Sequence, residues 1–462
     1  MMRSLFSGVS GLNNHQTRMD VIGHNVSNVN THGYKKGRVT FQDLLSQRIS
    51  GAARPREERG GINPKQVGLG MQIAAIDTIH NQGALQTTGV NTDLAVVGNG
   101  FFVNRSGESL LYTRAGAYSL DADGVLVNQA TGYRVQGFQA RSNLDGSVSI
   151  DTSSSIDDLV IPLGQKQPAE PTENVTYRSN LNLLTPVIPP NASESQILAG
   201  NWRTSIKVYD SRGEPLELVL NFFKNTDANG VEIPNQWRVT TQVFDMDTNP
   251  IGNVVAQTNP NDVTNDFIVQ FNTAGAPQSL IDPINGTVVG AAGDALEIAL
   301  NFTVPGSDPS LINLSLGTSG LYDGITQFAS TSTTRASFQD GTALGYLENF
   351  NINDNGVIVG SYTNGTRRDL GQVALAAFVN PGGLEREGET YFSETNNSGQ
   401  AQITAPNTQG IGKIKAGTLE MSNVDLAEQF TDMIVTQRGF QANSRSITTS
   451  DIMLEEVLRL KS

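Results

Sequence analysis

Few side chains in this sequence have the type and spacing that chemistry requires. The four histidines, His15, His24, His32 and His80, fall in the first part of the chain, and none stands beside a Ser in a nucleophile-elbow pattern, so no nucleophile and base are paired. There is no cysteine, which removes disulfides, thiolate nucleophiles and Cys-based metal sites. Asp121-Ala122-Asp123-Gly124 and Asn353-Asp354-Asn355-Gly356 have the spaced oxygens of a calcium loop without its downstream bidentate Glu, and read as turns. Gly410-Ile411-Gly412-Lys413 lacks the spacing and the following Ser or Thr of a phosphate loop, and reads as a turn before the last helix. The sequon Asn174-Val175-Thr176 reads as a chance product of so much Asn and Thr. The expectation is no enzyme: no catalytic, cofactor-binding or metal site, and no cofactor.

What remains is a set of elements, and the two at the chain ends are the most regular. Leu426, Phe430, Met433, Gln437, Phe440, Ser444, Ile447, Asp451, Leu454 and Leu458 follow alternating steps of four and three, the seam of a coiled coil. Ser422, with Asp425 three residues on, is the expected N-cap pair of that helix. At the other end Leu5, Leu12, Met19 and Val26 repeat every seven residues, widened by Val9, Ile22 and Val29. The two ends are expected to pack together. A helix of about 33 residues spans roughly 50 Å, and polar Gln437, Ser444 and Asp451 interrupt its seam, so one hairpin alone is marginal and lateral neighbours are needed to complete its burial.

Composition narrows the partners. The 462 residues are 37% hydrophobic with 47 Gly, enough apolar content for several folded domains. A net charge of -14 leaves no basic footprint for nucleic acid or an anionic membrane. Met1 to Gly11 contain no apolar run of signal-peptide length, and no stretch of about 18 uncharged apolar residues exists to insert in a membrane. Export, if it occurs, needs another route.

Between the ends the pattern changes. The Asn-rich stretch from Asn25 to Gly33 ends the first helix. Ser50 to Gly70 is dense in Gly and Pro around a charged cluster at 56–59, and reads as an extended linker. From Met71 the period becomes two, with the turn Gly98-Asn99-Gly100 between Leu94, Val96 and Phe101-Phe102-Val103. The stretch around 350–359 repeats this style and is expected in the same sheet. Trp202 to Asp210, Leu216 to Phe223 and Trp237 to Phe244 alternate without helical periodicity, as an inserted sandwich or barrel would. The predicted fold is multidomain α+β: terminal helices in a coiled-coil-like domain (1–48 with 418–462), an extended linker (49–72), a first antiparallel β domain (73–140 with 337–417) and a nested outer β domain (141–336).

Ser7-Gly8-Val9-Ser10-Gly11-Leu12, Asp20 to Asn28 and Asn30-Thr31-His32-Gly33-Tyr34-Lys35, together with Ser422 to Ile434 and Gln437 to Arg445, resemble the opening and closing signatures of bacterial flagellar rod and hook axial proteins. Gly98-Asn99-Gly100-Phe101-Phe102, Tyr112 to Gly116 and Phe378 to Leu384 are similar to motifs of that family's first β domain. The resemblance covers about the first 140 and the last 125 residues, and the chain length favours a hook protein. It implies a homopolymer: a helical tube lined by terminal helices, with β domains outside, acting as a flexible joint that passes torque from rod to filament. A heterologous contact between identical subunits whose rotation does not close generates such a filament. The implied partners are the hook cap, the distal rod and hook-filament junction proteins and the type III export apparatus; the implied location is the hook and basal body, exported, extracellular or periplasmic. The alternatives are a distal rod subunit and a secreted β-rich surface protein.

The same resemblance assigns roles to particular residues. Leu5, Leu12, Met19, Val26, Leu426, Phe430, Met433, Phe440, Ile447, Leu454 and Leu458 would form the subunit-packing seam, and Leu5 and Val9 the export signal, although the family's first position is typically Phe. The 54–70 linker is similar to longer connections in rods and some hooks and would brace adjacent subunits. Hooks of bacteria with periplasmic flagella carry a lysinoalanine link from a Lys to a Cys-derived dehydroalanine. The matching stretch here is Lys166 with Ser179 and Asn180, where Ser stands in the Cys position and hydroxide is the poorer leaving group.

Overall fold

The computed structural model describes residues 2–461 except 53, 55–59, 143–147, 228–229, 247–248, 252–253, 258–264, 284–285, 287, 305–308 and 409. The chain divides into two compact units. The first comprises Met1–Leu163, Asn349–Gly360 and Arg367–Ser462; the second comprises Gly164–Glu348 and Ser361–Thr366.

The first unit holds both terminal helices. Helix α1 (Met2–Ser27) ends in the Asn-rich turn, where the Asn28 side chain donates to the His24 carbonyl. Gly33 follows at φ +69°, where an added Cβ would lie 2.4 Å from the Ala115 nitrogen, so only glycine fits. The C-terminal helix, Leu426–Lys461, is 36 residues long. Its cap is Asp425, whose Oδ1 accepts from the amides of Ala427 (2.8 Å) and Glu428 (3.3 Å). Ser422, expected as the cap, instead accepts from Val424 N–H. The helix starts later because Thr418–Glu420 is still a strand, paired with Leu85–Thr87.

The β part of this unit is organised about strand Arg134–Ser142, which pairs with Phe101–Ser106 on one edge and Arg367–Val373 on the other. Phe101, Val103, Tyr112, Phe378, Leu384 and Phe392 fill its core. The strands flanking Gly98-Asn99-Gly100 do not pair with each other. Leu94–Val97 pairs with Lys413–Ala416, and Phe101–Ser106 with Ser109–Thr113. Residues 141–163, expected in the inserted domain, belong here, because Val148–Ile150 and Asp157–Asp158 both pair with Arg134–Ser142. The stretch expected as a linker carries a short ladder between Ser46–Ser50 and Lys65–Gly68, and Met71–Thr78 pairs back on Gly37–Asp43.

The second unit is two sheets on one core. The first contains Ala295–Phe302, Ser310–Thr318, Asn174–Asn182 and Ile325–Phe328; the second runs Asn201–Tyr209, Pro215–Thr226, Glu232–Phe244, Asp266–Phe271 and Pro277–Ile281. Trp237, Phe222, Phe267, Phe302, Tyr177 and Leu314 meet between them. Two features differ from the sequence reading. Asn174–Asn182 runs parallel to Ser310–Thr318 and Ile325–Phe328, which the long connection from 183 to 309 permits. A short helix, α2 (Glu194–Gly200), opens with Gln196 Oε1 accepting from Ser193 N–H at 2.9 Å; at under two turns it is too short to leave a periodic signal.

Candidate subunit interface

The terminal helices pack antiparallel through small and polar groups. Ser4 meets Ser450 (Oγ to Oγ 3.2 Å), Arg18 meets Asp432 (3.0 Å), and Asn25 donates to Gln429 (3.0 Å). Between these, glycines set the approach. An added Cβ at Gly8 would stand 2.8 Å from Ile447 Cγ1, at Gly11 2.5 Å from Asn443 Nδ2, and at Gly439 2.8 Å from the His15 ring. Gln429, Thr436, Asn443 and Ser450 recur every seven residues on the inner face, and all but Asn443 are buried. Apolar burial at the pair is partial: Ile22 is buried, and the other apolar side chains that line it are half-buried.

Many apolar side chains of the two helices lie outside that contact. Phe430 is 49% exposed, Leu458 69% and Phe6 67%, and Ile434, Val435, Phe440, Ile452 and Val457 are exposed with them. Of the expected seam, Leu5, Leu12, Met19, Val26, Met433, Ile447 and Leu454 are half-buried, whereas Leu426, Phe430, Phe440 and Leu458 face outward. An apolar surface of this extent marks an interaction site. The glycine and polar stripe was present in the sequence at Gly8, Gly11 and Gly439, but a search for apolar periodicity passes over it.

At the base of the helix pair three segments share one carboxylate. Glu420 accepts from Lys35 Nζ at 2.6 Å, Arg114 Nη1 at 3.3 Å and Gly83 N–H at 2.8 Å, with the Lys35 and Glu420 side chains fully buried. Lys35 also donates to the Asn81 carbonyl, and Arg386 to the Lys35 carbonyl. His80 lies against Phe101 and Phe392. Burial first, then the cations Lys35, Arg114 and Arg386, push its pKa down to about 4. It is neutral at pH 7.

The remaining candidates are placed as follows. In both calcium-like sequences the first residue turns inward: Asp121 Oδ1 accepts from Asp123 and Val125 N–H, and Asn353 Oδ1 from Asn355 and Val357 N–H. His24 bonds the Tyr34 hydroxyl, and His15 packs on Phe41. Val9 is exposed. Lys166 is exposed, with Nζ 5.9 Å from the Tyr346 ring centre. Ser179 sits at φ +91°, and Asn180 Nδ2 donates to the Phe328, Ser330 and Thr331 carbonyls.

Four family models match successive parts of the chain: flagella basal body rod protein at 5–35, flagellar hook protein FlgE/F/G D1 domain at 95–167, flagellar basal body protein FlaE D2 domain at 177–342 and flagellar basal body rod FlgEFG protein C-terminal at 415–460. The flagellar hook protein FlgE of Borreliella burgdorferi is 52% identical over 100% of both chains, and that of Treponema pallidum 50% over 100% of both. The chain belongs to the flagellar hook protein FlgE family. The FlgE of Escherichia coli is 31% identical over 98% of each chain. In this FlgE-family chain the two rod-protein matches fall on the terminal helices, and the D2 match lies wholly within the second compact unit.

Proposed function

We propose that the chain is the structural, non-enzymatic subunit of the flagellar hook, and that it self-assembles into a helical tube that bends while passing torque from rod to filament. The observation that carries the polymer is the outward apolar surface of helices whose mutual contact is small and polar. Residues 1–48 with 418–462 would form the inner tube and 49–72 the connection; the first β domain, expected over 73–140 with 337–417, would be 73–163 with 349–360 and 367–417, and the outer one, expected over 141–336, would be 164–348 with 361–366, following the compact units. Leu426, Phe430, Phe440 and Leu458 would pack on neighbouring subunits, with Leu5, Leu12, Met19, Val26, Met433, Ile447 and Leu454 closing the pair beneath them. Cap, distal rod and junction proteins and the type III export apparatus are the proposed partners, and the exported hook the proposed location.

Exposed apolar groups gain about 25 cal/mol per Å² on burial, so charge near both ends of that surface should stop polymerisation without unfolding the monomer. Phe430→Asp with Leu458→Asp is expected to keep the wild-type circular dichroism spectrum and remain at monomer size in sedimentation. Polymers of normal length from this variant would remove the seam from these residues. Leu5 and Val9 are proposed as the export signal, which secretion at wild-type level from Leu5→Asp cells would refute. Lys166 and Ser179 are proposed as an inter-subunit crosslink, supported by the exposed amine and the left-handed backbone at Ser179; hooks that dissolve wholly to monomers in hot detergent would refute it.

A further inference from the structure

Three Asn-Gly pairs have both residues described: Asn99-Gly100, Asn355-Gly356 and Asn364-Gly365. Such a pair can react with itself. The backbone nitrogen of the glycine attacks the Asn side-chain carbon, and the lack of a Cβ on glycine leaves that nitrogen open to approach. The reaction needs an Asn side chain free to turn and an N–H free to lose its proton, so hydrogen bonds at either group hold it back.

Two of the pairs are held at both groups. Asn355 Oδ1 accepts from Asn407 Nδ2 at 3.3 Å, and Gly356 N–H donates to the Asn353 carbonyl at 2.8 Å. Asn364 Nδ2 donates to the Ala343 carbonyl at 2.9 Å, its Oδ1 accepts from the Thr366 hydroxyl at 2.7 Å, and Gly365 N–H donates to the Tyr362 carbonyl at 2.9 Å. At Asn99-Gly100 neither the side-chain amide nor the glycine N–H has a hydrogen-bond partner among the described residues. Asn99 is exposed, but so is Asn355, so solvent access does not separate them. The difference lies in the bonding.

The fold itself keeps this pair in place. Gly98 and Gly100 sit at φ +105° and +127°, and an added Cβ would stand 3.1 Å from Gly412 Cα at the first and 3.2 Å from Ile411 Cγ2 at the second. Both positions therefore call for glycine. The backbone around them is anchored: Gly98 N–H donates to Gln82 Oε1 at 3.1 Å, the Gly98 carbonyl accepts from Arg114 Nη2 at 2.8 Å, and the Asn99 carbonyl accepts from Gly412 N–H at 2.7 Å. That last bond falls on the peptide group whose nitrogen attacks, and polarising its oxygen makes the Gly100 N–H more acidic.

We propose that Asn99 is a site of spontaneous covalent modification, at which the folded chain deamidates ahead of its other described Asn-Gly pairs. The Gly100 nitrogen gives its proton to solvent base and bonds to Asn99 Cγ; the Cγ–Nδ2 bond breaks, and the nitrogen leaves as ammonia with a proton returned by solvent. Water then opens the cyclic imide at either carbonyl, giving aspartate or, with one more methylene in the main chain, isoaspartate. In sum one water is consumed and one ammonia released, with no oxidant or reductant. Either product places a new carboxylate between Leu94–Val97 and Phe101–Ser106. The inference stands apart from the hook reading, since it concerns one folded chain.

Peptide mapping by mass spectrometry, on the purified full-length chain held in mildly alkaline buffer, follows each Asn with time, and labelling by an isoaspartate methyltransferase identifies the rearranged product. Asn99 is expected to convert about tenfold faster than Asn355 or Asn364, the factor that one net hydrogen bond supplies, and faster still as hydroxide rises. In denaturant the three pairs are expected to convert at similar rates. Asn99→Gln should abolish isoaspartate in its own peptide. A folded chain in which Asn355 or Asn364 converts as fast as Asn99, or in which Asn99 stays intact while the denatured chain converts, would overturn the proposal.

Discussion

Glu420 and His80 show how much of this molecule is decided by single side chains far apart in sequence. Lys35 and Glu420 are 385 positions apart, and a lone Lys or Glu in a sequence reads as surface, so their burial was not legible before the structure placed both beside Arg114. Removing one partner of a buried ion cluster leaves charge uncompensated. Glu420→Leu is therefore expected to lower stability by about 3–5 kcal/mol, and Asp354→Ala, whose partner Lys413 is solvent-exposed, by about 0–1 kcal/mol; denaturant midpoints of the unpolymerised chain compare them. His80 adds a pH dependence. Its folded pKa, about 4, lies below the ordinary histidine value of 6.5, so the unfolded chain binds the proton more readily. The stabilisation is complete above pH 6.5 and is lost as pH falls from 6.5 towards 4, a swing on the order of 3 kcal/mol. His80→Phe, between Phe101 and Phe392, should flatten that slope, and an unchanged slope would exclude His80 as its source.

At the scale of elements, periodicity located both terminal helices, the hairpin turns at Asp121 and Asn353, and the strands at 202–210, 216–223 and 237–244, because each repeats a local rule of spacing or turn chemistry. It failed where pairing is non-local. Nothing in Leu94 to Val103 distinguishes a hairpin from two strands that each find a distant partner, and a parallel ladder carries no mark in the intervening 183–309. It also placed the helix cap three residues early, since Ser422 and Asp425 are equally good capping residues and only the strand Thr418–Glu420 decides between them. The helix pair itself is set by what is missing from Gly8, Gly11 and Gly439. Gly11→Leu must displace Asn443 or the whole of the facing helix, and overpacking of this kind costs typically about 1–3 kcal/mol. Loss of helical signal at a lower temperature than in the wild type is the expected result in a circular dichroism melt. A melt unchanged by the substitution would mean that the two helices are not in register as described.

Over the whole molecule, the proposed assembly rests on the exposed apolar surface of the helices, which would make one subunit incomplete and many subunits stable. The paired terminal signatures pointed to a hook subunit, and full-length identity to hook proteins agrees with that. Sequence reading marked 50–70 as an extended linker, because Gly and Pro content reports flexibility of the chain and gives no sign of the ladder between Ser46–Ser50 and Lys65–Gly68. In the proposed reading the division of labour is physical: apolar ends would hold the tube together, and a net acidic exterior would let neighbours slide as the tube bends. The measurement that tests this most directly is electron microscopy of basal bodies from cells with the gene deleted in frame. Complete rods that end without hooks are the predicted result; hooks of normal form on those rods would contradict it, and rods cut short would assign the chain to the rod.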